Sequence, residues 1–202
     1  MTAMIKKTSA FERANHWIMA GGFLVLAVTG AGFLYRLEGL NSIFGSFQNM
    51  KTVHNYAGIV FSVSLVLSLF SYLGEALRFD ADDFIWLLTL GGYLSKKAKL
   101  PPQGRLNAGQ KSFYLFLIIA GTAISATGYI IWLVPTLREW ILISHLTHNI
   151  SFVLLLMAIP IHIYLGTLAN PGTFRIMVYG TVPVEWARKK HAKWVRSMEA
   201  GQ

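Results

Sequence analysis

The stretch ISFVLLLMAIPIHIYLGTL, residues Ile150–Leu168, decides the fold. Only His162 within it can change its charge near neutral pH, and the rest of the run is almost entirely apolar. A helix needs about 20 such residues to cross the hydrocarbon core of a bilayer. The stretch therefore predicts a transmembrane helix.

Three more apolar runs have the same character, at Trp17–Tyr35, Val53–Leu77 and Phe113–Val134. The composition agrees with them, because 54% of the residues are hydrophobic and only 13% are charged, against about a quarter charged in soluble domains. Mean hydropathy is +0.48. We predict an all-α membrane protein, a four-transmembrane-helix bundle that forms a single integral-membrane domain over residues 1–202.

The positive charges predict the direction of the helices. There are 18 Lys and Arg against 9 Asp and Glu, a net charge of +9, which in so apolar a chain indicates contact with anionic lipid and not with nucleic acid. Fifteen of the 18 lie in the N-terminal segment, the second loop and the tail. They are Lys6, Lys7, Arg13, Arg78, Lys96, Lys97, Lys99, Arg105, Lys111, Arg175, Arg188, Lys189, Lys190, Lys193 and Arg196. Because cytoplasmic loops retain Lys and Arg during insertion, both termini are predicted to be cytoplasmic.

Two further segments are predicted to touch the membrane without crossing it. Asp83–Leu94 is too short to span, and we expect it to lie at the interface or to fold as a short helix against the membrane. The tail, about residues 183–198, reads as a basic amphipathic helix with Trp186 and Trp194 that rests among the headgroups, or as a solvated tail. His191 within it is expected to be solvated.

The absence of cysteine excludes disulfides, thiolate metal sites and iron–sulfur clusters on this chain. Redox chemistry would then depend on the histidines. His16 begins the first span, His54 begins the second, His148 begins the fourth, and His162 lies deep in the fourth. The last two are 14 residues apart, about 21 Å along a helix, and they face within about 40° of each other.

This spacing sorts the four histidines into two pairs, His54 with His148 near the outer face and His16 with His162 near the inner face. Two opposed imidazoles fill both axial positions of a haem iron, which favours electron transfer. We therefore predict two haems between the helices. The alternative is polar packing of histidines without haem. His145 is turned about 100° away from His162 and is the weaker candidate.

Several glycines would give a macrocycle room beside these histidines. They are Gly30 on the first span, Gly58 one turn after His54, Gly121 and Gly128 on the third span, and Gly166 one turn after His162. Close packing between membrane helices explains such glycines equally well. Pro160 predicts a kink in the fourth span, and Arg13, Arg36, Lys51 and Lys111 are candidates for pairing with haem propionates.

Five segments now resemble a known family, the cytochrome b (gamma) subunits of membrane-bound respiratory formate dehydrogenases, which carry two b-type haems. They are Glu12-Arg-Ala-Asn-His16-Trp17, His54-Asn-Tyr-Ala-Gly58, Gly104-Arg-Leu-Asn107-Ala-Gly109-Gln110-Lys111, His162-Ile-Tyr and the tail from Gly172 to Trp194. The histidine spacing is shared with hydrogenase cytochrome b subunits. The loop around Asn107 and the tail favour the formate dehydrogenase branch.

The resemblance implies roles for particular residues. His54 and His148 would bind the iron of the outer haem, and His16 and His162 the iron of the inner haem. A quinone site would lie at the cytoplasmic side, where Asn107, Gly109 and His162 meet. On the residues alone, the segment Asn107-Ala-Gly109 is a helix-starting turn.

The implied function is that of an electron-carrying subunit in a bacterial inner membrane. It would anchor the complex and pass electrons from an iron–sulfur (beta) subunit, and through it from a molybdenum or tungsten formate dehydrogenase subunit, to a membrane quinone. No formate-oxidising site is expected on this chain. The alternatives are the cytochrome b subunit of a nickel–iron hydrogenase and a haem-free membrane anchor.

Overall fold

The structure is a computed structural model that describes residues 3–94, 99–134 and 138–201. Lys96 and Lys97, two of the charges used to predict the orientation, lie outside these residues. Helices dominate the described part of the chain, as predicted. They include four helices that are long and apolar enough to cross a membrane.

These four helices carry the four predicted spans. They are α1 (Ala10–Leu34), α3 (Phe47–Ala76), α5 (Ala108–Leu133) and α6 (Arg138–Gly166). Each ends within two residues of the predicted end, but begins well before the apolar run. Pro160 lies inside α6.

Reciprocal hydrogen bonds explain two of the early helix starts. At α1 the Glu12 carboxylate accepts from the Ser9 backbone N–H at 2.6 Å, and the Ser9 hydroxyl accepts from the Glu12 N–H at 3.1 Å. At α5 Asn107 and Gln110 exchange the same two bonds at 3.0 and 2.8 Å. Each of these arrangements is a capping box, which satisfies backbone N–H donors that have no partner within the helix. The helices therefore begin at the polar boxes and not at the first apolar residue.

The remaining elements are short. The helices are α2 (Glu38–Phe44), α4 (Ala81–Leu88), α7 (Phe174–Val178), α8 (Val184–Lys190) and α9 (Ala192–Glu199), with a 3₁₀ turn at Leu90–Gly92. Two strands, β1 (Met4–Lys6) and β2 (Thr181–Pro183), pair antiparallel. The all-α prediction did not include this small sheet. Asp83–Leu94 does form a short helix and turn, as expected.

The chain divides into two compact units. The mid-helix unit comprises Ala14–Leu69 and Leu117–Ile159, and the loop-and-tail unit comprises the described parts of Met1–Arg13, Phe70–Phe116 and Pro160–Gln202. Three of the four predicted ligands, His16, His54 and His148, belong to the mid-helix unit. His162, Asn107 and Gly109 belong to the loop-and-tail unit.

Aromatic and aliphatic side chains fill the interior of the mid-helix unit. Phe61 and Leu65 of α3 are almost fully buried, as is Leu155 of α6. A Cβ on Gly121 of α5 would lie only 2.9 Å from the Leu65 side chain, so this glycine lets α5 approach α3 closely. Small residues serve this purpose in membrane helices, where the hydrophobic effect does not drive helices together.

The outer surface of the same unit is apolar. Ile119 is 72% exposed and Met157 is 62% exposed. A water-soluble protein rarely exposes such side chains along the whole length of its helices. Lipid is the environment that suits this surface, and the chain is a membrane protein.

A separate hydrophobic cluster organises the loop-and-tail unit. Ile176, Val182, Ala187 and Val195 are buried together, with Trp186 and Trp194 packed against them. The tail is two helices that meet at His191, whose φ of −138° and ψ of 51° are not helical. The prediction of a single tail helix was therefore wrong in its continuity.

His191 is buried, contrary to the prediction that it is solvated. Its side chain is 2% exposed, and its Nδ1 donates to the Gly104 carbonyl at 2.7 Å. Burial, with a smaller contribution from the nearby Lys7 charge, lowers the pKa of His191 to about 3. The break between α8 and α9 thus falls at a buried residue, whose ring contacts both Trp186 and Trp194.

Candidate functional site

His54 of α3 and His148 of α6 face each other in the mid-helix unit. Their ring centroids are 6.4 Å apart and their planes are inclined by 53°. Phe33 packs against His54 with its centroid at 5.3 Å. The structure thus brings together the two histidines of the predicted outer pair.

The separation suits two axial ligands of one metal ion. Metal–imidazole bonds are about 2 Å long and each ring centroid lies about 1 Å behind its nitrogen, so two opposed ligands have centroids about 6 Å apart. In residues 3–94, 99–134 and 138–201, no group of three or more His, Asp or Glu side chains forms a metal site. A pair of histidines without further protein ligands is a set that can hold a haem iron.

Thr29 determines which nitrogen of His54 is available. The Thr29 Oγ1 lies 2.7 Å from the Val25 carbonyl oxygen and 2.7 Å from His54 Nδ1. Since a hydroxyl has one proton and a carbonyl can only accept, Thr29 donates to Val25 and accepts from the Nδ1–H of His54. The lone pair of His54 is then on Nε2.

The same arrangement recurs at His148. Thr127 Oγ1 lies 2.7 Å from the Ala123 carbonyl oxygen and 3.2 Å from His148 Nδ1. Neither threonine is among the site residues predicted from the sequence. A signal was present, because each threonine is followed by one of the candidate glycines, as Thr29-Gly30 and Thr127-Gly128.

Gly30 and Gly128 lie directly against the two imidazoles. A Cβ on Gly30 would lie 3.6 Å from His54 Cε1, and one on Gly128 would lie 3.2 Å from His148 Cε1. Two of the other three candidates, Gly58 and Gly166, have no imidazole beside them. Among the described residues, a Cβ on Gly58 would contact only Leu26, at 4.0 Å, and one on Gly166 would contact nothing within 4 Å. The pair facing the rings is therefore Gly30 and Gly128.

His16 and His162 have separate surroundings. The His16 ring makes an edge contact with Trp17, with centroids 5.1 Å apart. The next residue back, Asn15, is buried and donates from Nδ2 to the Ser64 carbonyl at 2.9 Å, which fixes α1 against α3 beside His16. His162 stacks on Phe113 with centroids 4.4 Å apart and planes inclined by 11°. Their pairing stays a prediction.

The candidate quinone residues Asn107 and Gly109 lie next to Trp86 of α4. A Cβ on Gly109 would approach the Trp86 ring to 2.6 Å, so only glycine admits the indole there. Asn107 and Trp86 also line a cavity of about 240 Å³, together with Tyr93 and Asn170. Asn107 is at the same time part of the box that begins α5, as its sequence alone indicated.

Polar contacts hold the loop that carries Asn107. Arg105 forms an ion pair with Glu12 at 2.6 Å and lies 3.7 Å from Glu75. Lys7 donates from Nζ to the Arg105 carbonyl at 2.7 Å. Burial holds the pKa of Lys7 well below its usual range. Charged groups from the N-terminal segment and from the end of α3 thus hold the loop in place.

Lys111, one of the propionate candidates, has a partner within the protein. Its Nζ lies 2.7 Å from the Asp83 carboxylate, and both residues are buried. It also donates to the Arg78 carbonyl at 2.7 Å. Lys111 therefore joins α5 to the start of α4.

Comparison with known proteins identifies the family of the chain. A family model described as prokaryotic cytochrome b561 matches residues 7–180. The cytochrome b556(fdo) subunit of formate dehydrogenase from Escherichia coli (strain K12) is 32% identical, over 96% of this chain and 93% of that protein.

Two other relatives extend this similarity. The cytochrome b556(Fdn) subunit of the nitrate-inducible formate dehydrogenase from the same strain is 29% identical, over 98% of this chain and 94% of that protein. The formate dehydrogenase cytochrome b556 subunit of Haemophilus influenzae is 27% identical, over 91% of this chain and 79% of that protein. The chain belongs to the prokaryotic cytochrome b561 family, as a haem b protein of the formate dehydrogenase cytochrome b subunits.

Proposed function

We propose that this chain is a di-haem cytochrome b that anchors a formate dehydrogenase complex in the bacterial inner membrane and carries electrons to a quinone. The observation that carries the proposal is the facing pair His54 and His148, each with its Nδ1 on a threonine and its Cε1 against a glycine. Haem b supplies one-electron redox chemistry when bound.

The four histidines have separate proposed roles in binding the two haems. His54 and His148 would hold the outer haem through Nε2, because Thr29 and Thr127 occupy Nδ1. His16 and His162 would hold the inner haem. Apolar side chains such as Phe33 exclude water from the outer pair, which lowers the local polarity around the redox centre.

Quinone reduction needs protons as well as electrons, and we place it near Asn107, Gly109 and His162. The support is the cavity that Asn107 lines, although Gly109 and His162 do not line it. Its walls carry polar groups from Tyr93 and Asn170 and the basic side chains Lys189, Lys190 and Arg196. A polar cavity of this kind gives a quinone oxygen access to hydrogen-bond donors. Cytoplasmic termini would place this site on the cytoplasmic side.

The partners follow from the relatives, which are named as subunits of formate dehydrogenases. A chain without cysteine holds no iron–sulfur cluster of its own. We infer that an iron–sulfur subunit delivers the electrons and that a molybdenum or tungsten subunit oxidises formate. Each electron that moves across the membrane does work of about 2.3 kcal/mol per 100 mV.

The test is His162→Ala in the intact complex. This variant should lose the inner haem and the reduction of a soluble quinone analogue by formate, while the spectrum of the outer haem remains. His145→Ala is the matched control, since that side chain is exposed on the same helix, and it should keep both haems. Normal quinone reduction in His162→Ala would contradict the proposal.

A further inference from the structure

We propose that Thr29 and Thr127 are positioning residues that set the reduction potential of the outer haem through the Nδ1 atoms of its two histidines. This inference rests on the proposed function, and deepens it. Neither threonine is expected to touch iron, because each acts on the far side of an imidazole ring.

The first step is the direction of the hydrogen bonds. Both threonine hydroxyls lie 2.7 Å from a carbonyl oxygen of their own helix, that of Val25 or of Ala123. Two oxygens at this distance repel each other unless a proton lies between them. The hydroxyl proton is thus used, and the imidazole must be the donor in the Thr29–His54 and Thr127–His148 bonds.

The second step is the consequence for the ring. A histidine that donates from Nδ1 is fixed as the tautomer with a free lone pair on Nε2, and the ring cannot turn. The Nδ1–H bond also makes the imidazole a more basic ligand. A more basic ligand stabilises ferric over ferrous iron, so these threonines should lower the midpoint potential of the outer haem.

The two contacts are unequal. Thr29 Oγ1 lies 2.7 Å from His54 Nδ1, but Thr127 Oγ1 lies 3.2 Å from His148 Nδ1. Hydrogen bonds weaken as this distance approaches the upper end of their range. Thr29 should therefore contribute more to the potential than Thr127.

The experiment is a redox titration of the haems in the full complex, with Thr29→Val, Thr127→Val and Thr29→Ser. Valine keeps the shape of threonine and removes the hydroxyl, whereas serine keeps the hydroxyl. Thr52→Val is the matched control on α3. Among the described residues, the Thr52 hydroxyl has one hydrogen bond, which it donates to the Gln48 carbonyl of the same helix at 3.0 Å. The readouts are the midpoint potentials and the electron paramagnetic resonance spectrum of each oxidised haem.

Thr29→Val should raise the midpoint potential of one haem by about 59 mV, which is about a tenfold increase in the ratio of reduced to oxidised haem for a one-electron couple. Thr127→Val should shift the same haem in the same direction by less. Thr29→Ser and Thr52→Val should leave both potentials near the wild-type values. The spectrum should change only for the haem that shifts, because a changed ring orientation alters its iron alone.

Unchanged potentials in Thr29→Val would overturn the inference, and so would an equal shift in Thr52→Val. If Thr29→Val loses the haem altogether, retention in Thr29→Ser supports the role of the hydroxyl, and loss in both variants overturns it. The proposed function fails separately, if His54→Ala does not remove a haem.

Discussion

Gly128 carries no side chain at the point where α5 passes His148. A Cβ there would lie 3.2 Å from Cε1 and 3.6 Å from Nδ1 of that ring. Gly128→Ala should push the imidazole by a few tenths of an ångström and lengthen its bond to Thr127. We expect haem affinity to fall by about tenfold, as it does when residues that orient a metal ligand are changed. The measurement is the amount of haem b per chain after detergent extraction.

Gly74→Ala is the control for this substitution, because a Cβ on Gly74 would meet no atom of the described residues within 4 Å. Alanine inside a helix is favoured over glycine by about 0.5–1 kcal/mol, so this variant should keep its haem and be no less stable. Equal haem contents in the two variants would show that Gly128 does not hold His148 in place.

His191 makes the attachment of the tail depend on pH. Burial lowers its pKa from 6.5 to about 3, so the ring is neutral when docked and binds a proton when the tail is released. Its contribution is complete above pH 6.5 and is lost as the pH falls toward 3, by about 1.4 kcal/mol per pH unit. The tail should loosen between these limits.

A spin label on Met198→Cys measures this release, because the natural chain has no cysteine that would also react. Met198 packs against the hydrophobic cluster of the loop-and-tail unit, so the label reports on that contact. Label mobility should rise from pH 7 to pH 4. In His191→Asn, which keeps a donor but does not titrate, the mobility should not depend on pH. The same rise in both variants would contradict this role for His191.

The histidines could be predicted from the sequence, but the threonines that contact them could not. Charge asymmetry and helical spacing paired His54 with His148, and the structure places them face to face. Thr29 and Thr127 could not be assigned in this way, because threonine in a membrane helix usually bonds its own backbone. Thr29 and Thr127 do that as well, and the Thr-Gly pairs in the sequence do not by themselves show that a histidine lies beside each hydroxyl.

At the scale of elements, the buried pair Lys111–Asp83 joins α5 to α4. Asp83→Asn should leave the Lys111 charge buried without a counter-charge, which costs about 3–5 kcal/mol. We expect a clear fall in the thermal midpoint of the purified protein. Adding Lys111→Met should restore much of the loss, because the uncompensated charge is then removed.

The exposed pair Arg188–Glu199 provides the comparison. Its side chains are 63% and 55% exposed, and exposed ion pairs contribute less than about 1 kcal/mol. Arg188→Ala should therefore leave the midpoint almost unchanged. A loss as large as that of Asp83→Asn would mean that burial is not the source of the difference.

The apolar runs predicted the ends of the spans better than their beginnings. The boxes at Ser9–Glu12 and Asn107–Gln110 are visible in the sequence as a cap followed three residues later by Glu or Gln, so these starts could have been found. The strand pair could not, because β1 and β2 are three residues each and lie at opposite ends of the chain. Pairing over that separation leaves no local pattern.

At the scale of the whole molecule, the distribution of Lys and Arg predicts cytoplasmic termini. Two introduced cysteines test this, Gln48→Cys in the first turn of α3, before the second predicted span, and Ser197→Cys in the tail, both at exposed positions. In intact spheroplasts a membrane-impermeant thiol reagent should label Gln48→Cys alone. Ser197→Cys should react only after the membrane is opened, and the reverse pattern would overturn the orientation.

The central claim is that His54 and His148 hold one haem between them while a second haem lies elsewhere in the chain. The most direct measurement is the haem b content per chain of the wild type, His54→Ala, His148→Ala and the double variant. We predict two haems in the wild type and one in each of the three variants. A double variant with no haem, or a wild type with only one, would contradict the account.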